Sequence, residues 1–255
     1  MFKIGDIVKY SKTNNDSLFK IKEIKDELYI LYGINNRQIV ISTIEHICLV
    51  NNLDIVNMQN NENRIVKRLS IYNKNRKSNK YLFGKVLHID GDEELLNKCL
   101  DLYKELGVFA QGICIKEEDT HLYIEELIKE LTPDIVVITG HDQFDGNNKK
   151  DIYSYKNTPN FIKAIKELRK HSSDIVIIAG ACASHFEALI ASGANIASSP
   201  KRINTHTYDP AIAAIKVATT PYDARVDFKY IYKYIENGKD ALGGVETNGK
   251  MKLLL

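Results

Sequence analysis

Two stretches of this chain are near copies of one another. "DIVVITGH" ends on His141 and "DIVIIAGAC" ends on Cys182. Each starts Asp-Ile-Val, continues through apolar or small residues and closes on Gly. A short apolar run without polar alternation reads as a strand covered on both faces. Such strands belong to parallel sheets sandwiched between helices, because the crossover that joins two parallel strands places a helix over the sheet.

The flanking sequence supplies those crossovers. From residue 84 strand and helix patterns alternate: "GKVLHID", then "DEELLNKCLDLYKELG" with Leu95, Leu96, Leu100 and Leu106 roughly on one face. "VFAQGICI", "THLYIEELIKEL", "PDIVVITG", "TPNFIKAIKELRKH" (Thr and an early Pro at its start), "SDIVIIAG", "SHFEALIASG" and "ANIASSP" continue the alternation. "DPAIAAIKVA" and "DFKYIYKYIENG" read as helices, and "KMKLLL" as an edge strand. The pattern predicts an α/β domain over residues 84–255, doubly wound on a mainly parallel sheet. Residues 1–50 read differently. "FKIGDIVKY", "FKIKEI", "LYILYG", "RQIVIS" and "HICLV" are short strands separated by turn residues, which predicts a small SH3-like β-barrel with a docking role. Residues 51–83, rich in Asn, Lys and Arg, read as a solvated linker with a weak helix.

Right-handed crossovers bring the C-terminal ends of parallel strands to one edge. If the twin strands are neighbours, His141 and Cys182 emerge together, about 4.8 Å apart per strand spacing. A thiol and an imidazole so placed form a nucleophile and its base. Cys182 is expected to open a helix, whose N–H groups would lower the thiol pKa and serve an oxyanion. Gly140 allows a sharp turn and Ala181 a close backbone approach, so both are expected to line the site. His185 is the competing base or a lining residue. Asp142 either orients His141 or caps the following loop.

The 255 residues are 44% hydrophobic and 27% charged, with a net charge of +2, an ordinary globular balance that gives no field directed at nucleic acid. "MFKIGDIVKY" has no basic region followed by a long apolar run, and no stretch is apolar enough to span a bilayer, so neither a signal peptide nor a membrane partner is read. Cys48, Cys99 and Cys114 sit among apolar neighbours and are expected to be buried small hydrophobes. No Cys/His spacing points to a metal, and no cofactor is expected.

The strand-His and strand-Ala-Cys blocks resemble the caspase-like cysteine peptidases of clan CD, although Asp142 follows His141 where that clan has Gly. A closer resemblance is to the YabG family of sporulation-specific peptidases of spore-forming Firmicutes. It is carried by "GKVLHIDGDEELLNKCL", "PDIVVITGHD", "AGACASHFEALIASGANIASSPKRIN" and "LGGVETNG", with the "IGDIVKY" barrel also fitting. The resemblance implies a flavodoxin- or caspase-like fold and a cysteine endopeptidase that matures spore coat and cortex-related proteins. It places the enzyme in the mother-cell cytoplasm and the spore coat, and it implies cleavage beside Arg.

An Arg-preferring site needs a carboxylate. Asp90 and Asp92 at the end of the first strand of the domain are the candidates, with Ser198 and Ser199 as walls and Asp145 and Asp209 next in line. Asp92 also suits a helix N-cap. Arg64, Arg68 and Arg76 make the linker a candidate for self-cleavage. Two other readings stay open. One is a class I amidotransferase or DJ-1-like Cys enzyme, in which His206 would serve. The other is a non-catalytic spore-layer docking protein.

Overall fold

The computed structural model describes residues 2–12, 17–74, 80–146 and 148–254. The N-terminal strands are β1 (Ile7–Tyr10), β2 (Leu18–Lys25), β3 (Leu28–Gly33), β4 (Ile39–Thr43) and β5 (Ile47–Leu49). They pair antiparallel in the order β4-β3-β2-β1-β5, with a register shift in β2 between Ile21 and Glu23. Alternate residues (Val8, Phe19, Ile21, Tyr29, Leu31, Val40, Ile47) close on one small core.

The segment expected as a linker holds α1 (Asn52–Lys74), a helix of 23 residues. Ile65, Val66 and Leu69 recur at helical spacing and pack on the main core, which the high Asn and Lys content obscured. Glu62 meets Lys98 at 2.8 Å and Arg68 donates to the Lys233 carbonyl at 2.9 Å. Arg64 and Arg68 therefore lie on a formed helix, and Arg76 lies outside the described residues.

The remaining elements are β6 (Tyr81–Leu82), β7 (Val86–Asp90), α2 (Glu93–Glu105), β8 (Ala110–Cys114), α3 (Thr120–Leu131), β9 (Ile135–Thr139), α4 (Thr158–His171), β10 (Val176–Ala179), α5 (Phe186–Ala191), β11 (Ile196–Ser198), α6 (Tyr208–Ala218), α7 (Phe228–Tyr232), α8 (Gly238–Ala241), β12 (Leu242–Gly244) and β13 (Lys252–Leu253). Their sheet runs β12-β11-β10-β9-β7-β8. All its pairs are parallel except β11–β12. Successive residues of β9 and β10 face opposite layers. Ile135, Val137, Val176 and Ile178 join the core under α1, α2, α6 and α7, whereas Val136, Ile138, Ile177 and Ala179 join the core under α3, α4 and α5. This double burial is the reason for the unbroken apolar runs.

The tail expected at the sheet edge pairs instead with β6 in a two-stranded ribbon, and the antiparallel edge is β12. Among the described residues no helix is long and apolar enough to cross a membrane.

Candidate functional site

Strand order reverses at β7, with β8 on one side and β9 on the other, so a crevice opens beyond the ends of β7 and β9. Neighbouring β10 pairs Ala179 with Ile138. His141 and Cys182 each lie three residues beyond that pair, at the same level on adjacent strands. The twin strands are thus a shared platform with the imidazole and the thiol at its rim.

Cys182 does not open a helix. It occupies the second position of a turn in which Ser184 N donates to the Ala181 carbonyl at 3.4 Å, with Gly180 at φ 109° before it and Ala183 at φ 59° after it. Positive φ at the third turn position is the type II pattern. α5 begins only at Phe186, capped by His185, whose Nδ1 accepts Ala188 N at 3.3 Å. His185 therefore serves α5 and packs on the Tyr155 ring at 5.4 Å. Among the described residues no acceptor meets the N–H groups of Cys182 or Ala183. His141 N, the other expected oxyanion donor, binds Glu117 Oε1 at 2.6 Å.

Cys182 is buried, and burial pushes its thiol pKa up. Opposing this, Thr205 N donates to Sγ at 3.4 Å, and the nearby Arg37 also pulls the thiol pKa down. The thiol in turn donates to the Thr205 carbonyl at 3.5 Å. His141 is buried as well, and burial holds it down at about 4, against the pull of Asp92 and Asp90. Its Nε2 makes no hydrogen bond and lies 3.6 Å from Asp92 Oδ2, and Nδ1 lies 3.9 Å from Glu117 Oε1. Its ring rests on Tyr32 of β3, centroids 4.6 Å apart. No hydrogen bond joins the imidazole to Sγ in this arrangement.

Asp142 does not orient the imidazole. Its Oδ1 accepts Gln143 N and Asn157 N, and Oδ2 accepts Thr158 Oγ1 and Ser184 Oγ. Ser184 Oγ accepts Ala181 N, so the buried carboxylate ties the His141 loop to the Cys182 turn. Gly140 matters for a reason other than turn freedom. A Cβ there would lie 2.3 Å from Glu117 Oε1, so the glycine makes room for that carboxylate.

Asp90 is completely buried and already has partners. Arg37 of the β3–β4 loop reaches its Oδ2 from Nε at 3.0 Å and from NH2 at 2.7 Å, and Thr139 Oγ1 donates to the same oxygen at 2.7 Å. Burial pushes the Asp90 pKa up, but the Arg37 charge, His88 and the hydrogen bonds from Thr139 and Arg37 together hold the carboxyl below its ordinary range. Because Thr139 gives its proton to Asp90, it must accept from His88 Nε2 at 2.8 Å, which leaves His88 Nδ1 to accept from Tyr103 at 3.1 Å. Asp92 caps α2, its Oδ1 accepting Leu95 N at 3.1 Å.

Ser198, the last residue of β11, and Ser199 after it are buried, with Ser198 Oγ lacking a partner and Ser199 Oγ bound to the Ile203 carbonyl. Asp145 is exposed. Asp209 is buried and pushed up to about 8 by burial. His206 turns Nδ1 to Tyr208 N, not to Cys182.

Arg37, Tyr32, Glu117 and Thr205 are the residues that sequence reasoning missed. Glu117 left a signal in Gly91 and Gly140, which both yield space to it. Beside Thr205 and His206 lies a polar cleft of about 440 Å³, also bordered by Asn36, Asn204, Asp54 and Glu236. Among the described residues no group of three or more His, Cys, Asp or Glu is placed to hold a metal ion.

A family model described as YabG peptidase U57 matches residues 3–255. The sporulation-specific protease YabG of Bacillus subtilis (strain 168) is 41% identical over 175 residues, covering 67% of this chain and 60% of the relative's length. No solved structure matches the chain. With a match that runs from the N-terminal sheet to the C-terminal ribbon, the chain belongs to the YabG peptidase U57 family.

Proposed function

We propose that this chain is a cysteine endopeptidase of spore formation, with Cys182 as nucleophile and His141 as general base. The observation that carries the reading is that His141 and Cys182 each follow by three residues the paired ends, Ile138 and Ala179, of adjacent parallel strands. Burial keeps the imidazole unprotonated and the thiol protonated near neutral pH. The resting pair is therefore neutral, and His141 takes the thiol proton as Sγ attacks the scissile carbonyl. It then returns the proton to the leaving amine, and water releases the acyl group from sulfur. The N–H groups of Cys182 and Ala183 are the donors available to the developing oxyanion. The imidazole reaches the sulfur by swinging off Tyr32, a rotation about its own side-chain bonds.

The substrates proposed are coat and cortex-related spore proteins, cut next to Arg, in the mother cell and the spore coat. The curated relative's description as a sporulation-specific protease supports that setting. The buried Asp90, with Asp92 at the crevice rim, supplies the carboxylate that a guanidinium requires. The N-terminal sheet is read as an SH3-like barrel that docks. The segment after α1, with Arg76, is the self-cleavage target.

The test is incubation of the wild type, Cys182→Ala and His141→Ala with Arg- and Lys-containing peptides, with cuts mapped by mass spectrometry. Cuts after Arg in the wild type and none in either variant are expected, with the Cys182→Ala chain itself staying intact for longer. Undiminished turnover in folded Cys182→Ala would sink the peptidase reading.

A further inference from the structure

We infer that the loop Ile34–Gln38 is an internal occupant of the substrate cleft, with Arg37 filling the pocket that receives a substrate arginine. The inference rests on the peptidase reading and extends it.

Arg37 is the largest completely enclosed side chain in the described residues, at 1% exposure. Its guanidinium meets Asp90 through two nitrogens, donates from NH1 to the Thr207 carbonyl at 3.1 Å and touches Cys99 Sγ at 3.8 Å. The pocket therefore meets a guanidinium on several sides with a buried carboxylate and a carbonyl, a donor–acceptor match that an ammonium or a neutral amide cannot reproduce. A buried ion pair is a poor way merely to fasten two parts of a chain, since apolar residues of the same volume usually serve as well.

The backbone of the same residue completes the argument. The segment that binds Cys182 Sγ through Thr205 also binds this loop, Thr207 O accepting from Arg37 NH1 and Thr207 N donating to Asn35 O, and the Arg37 backbone helps to lower the thiol pKa. A peptide whose arginine enters that pocket brings its own main chain to the same sulfur. The neighbouring residues hold the loop in place. Thr207 N donates to the Asn35 carbonyl at 2.9 Å, Asn204 Nδ2 to Gln38 Oε1 at 2.7 Å, and Asn36 bridges His206. Tyr32, just before the loop, carries His141, which makes no hydrogen bond to the thiol. The seated loop thus covers both reacting groups, and an arriving arginine displaces it by competing for Asp90. Lys98 Nζ donates to the Ile34 carbonyl at 3.1 Å, and the N-terminal sheet is further tied by Lys9 to Asp54 and by the more exposed Lys20 and Lys22 to Glu94.

The test uses the full chain and readouts that need no hydrolysis. In Arg37→Ala, alkylation of Cys182 by iodoacetamide, mapped by mass spectrometry, should be at least about tenfold faster than in the wild type. N-acetyl-arginine amide should bind Arg37→Ala and slow that alkylation, N-acetyl-citrulline amide should do neither, and Asp90→Asn in the same background should abolish the arginine effect. Should Arg37→Ala fail to fold, the wild type decides. Saturating N-acetyl-arginine amide, and not the citrulline compound, should raise amide hydrogen exchange across residues 34–38. Unchanged alkylation in folded Arg37→Ala, or unchanged exchange in the wild type, overturns the inference. Peptide cutting by the wild type with unaltered loop exchange removes the inference and leaves the peptidase. Arginine-dependent loop release without any cutting keeps the inference and removes the peptidase.

Discussion

At the scale of single residues, the site is shaped by carboxylates with different work. Asp90 meets a cation, Asp142 braces two loops, and Glu117 stands behind His141 in a slot left by two glycines. The slot makes a measurable prediction. In Gly140→Ala the new methyl would lie 2.3 Å from Glu117 Oε1, which is itself held by His141 N. Neither group can yield without giving up that hydrogen bond, so a loss of about 1–3 kcal/mol in urea unfolding is expected. Glu117→Ala empties the slot, and adding Gly140→Ala to it should cost about 1 kcal/mol less than Gly140→Ala alone. Strict additivity in this cycle would mean that the loop relaxes around the methyl. Asp90 and Cys182 could both be chosen from the sequence because strand ends are where a parallel sheet concentrates its chemistry. Arg37 could not, since nothing local marks one arginine among the basic residues as the one to be buried.

At the scale of elements, the twin strands were readable because period and composition agree: unbroken Ile and Val, then Gly. The helix α1 was readable only as a weak helix within a solvated linker, because its apolar residues are few and sit within a polar composition. What makes it a helix is the surface it covers, supplied by α2 and the C-terminal helices. Leu69, buried on that surface, should cost about 2–5 kcal/mol when replaced by Ala, whereas exposed Leu53→Ala should stay within about 0.5 kcal/mol. Equal effects in chemical denaturation would place α1 off the domain. α5 shows the opposite error. The small residues after Cys182 read as a helix start, yet Asp142 draws Ser184 into a turn, and the helix waits for His185.

At the scale of the whole molecule, burial of ionisable groups sets the response to pH. His88 is fully enclosed and pushed down to about 3, against about 6.5 when unfolded. The unfolded chain therefore takes up this proton first. The stability contributed by His88 is complete above about pH 6.5 and is lost as pH falls toward 3. Asp209 has the opposite sign. Pushed up to about 8, it stays protonated when folded, and its contribution is complete below about pH 4 and lost as pH rises toward 8. Urea midpoints measured from pH 4.5 to 6 should fall with acid less steeply in His88→Gln, by about one proton or ~1.4 kcal/mol per pH unit. Asp209→Asn should alter the slope by a similar amount in the other sense, increasing the gain with rising pH. Parallel profiles for wild type and both variants would contradict the assigned protonation states.

The local sequence was enough to determine the parallel sheet, its covering helices, the small antiparallel sheet before them and the two strand tips at His141 and Cys182. Each of these is written in periodicity over a few neighbouring residues, because side-chain alternation and helical spacing are set by backbone geometry. Only the tertiary structure decided that β7 lies beside β9, so that Asp90 and Asp92 border His141. It alone set Arg37 of the β3–β4 loop against Asp90 and joined that loop to Thr207. Those contacts join residues far apart in the chain, and their energy comes from shared burial, which no short window of sequence encodes.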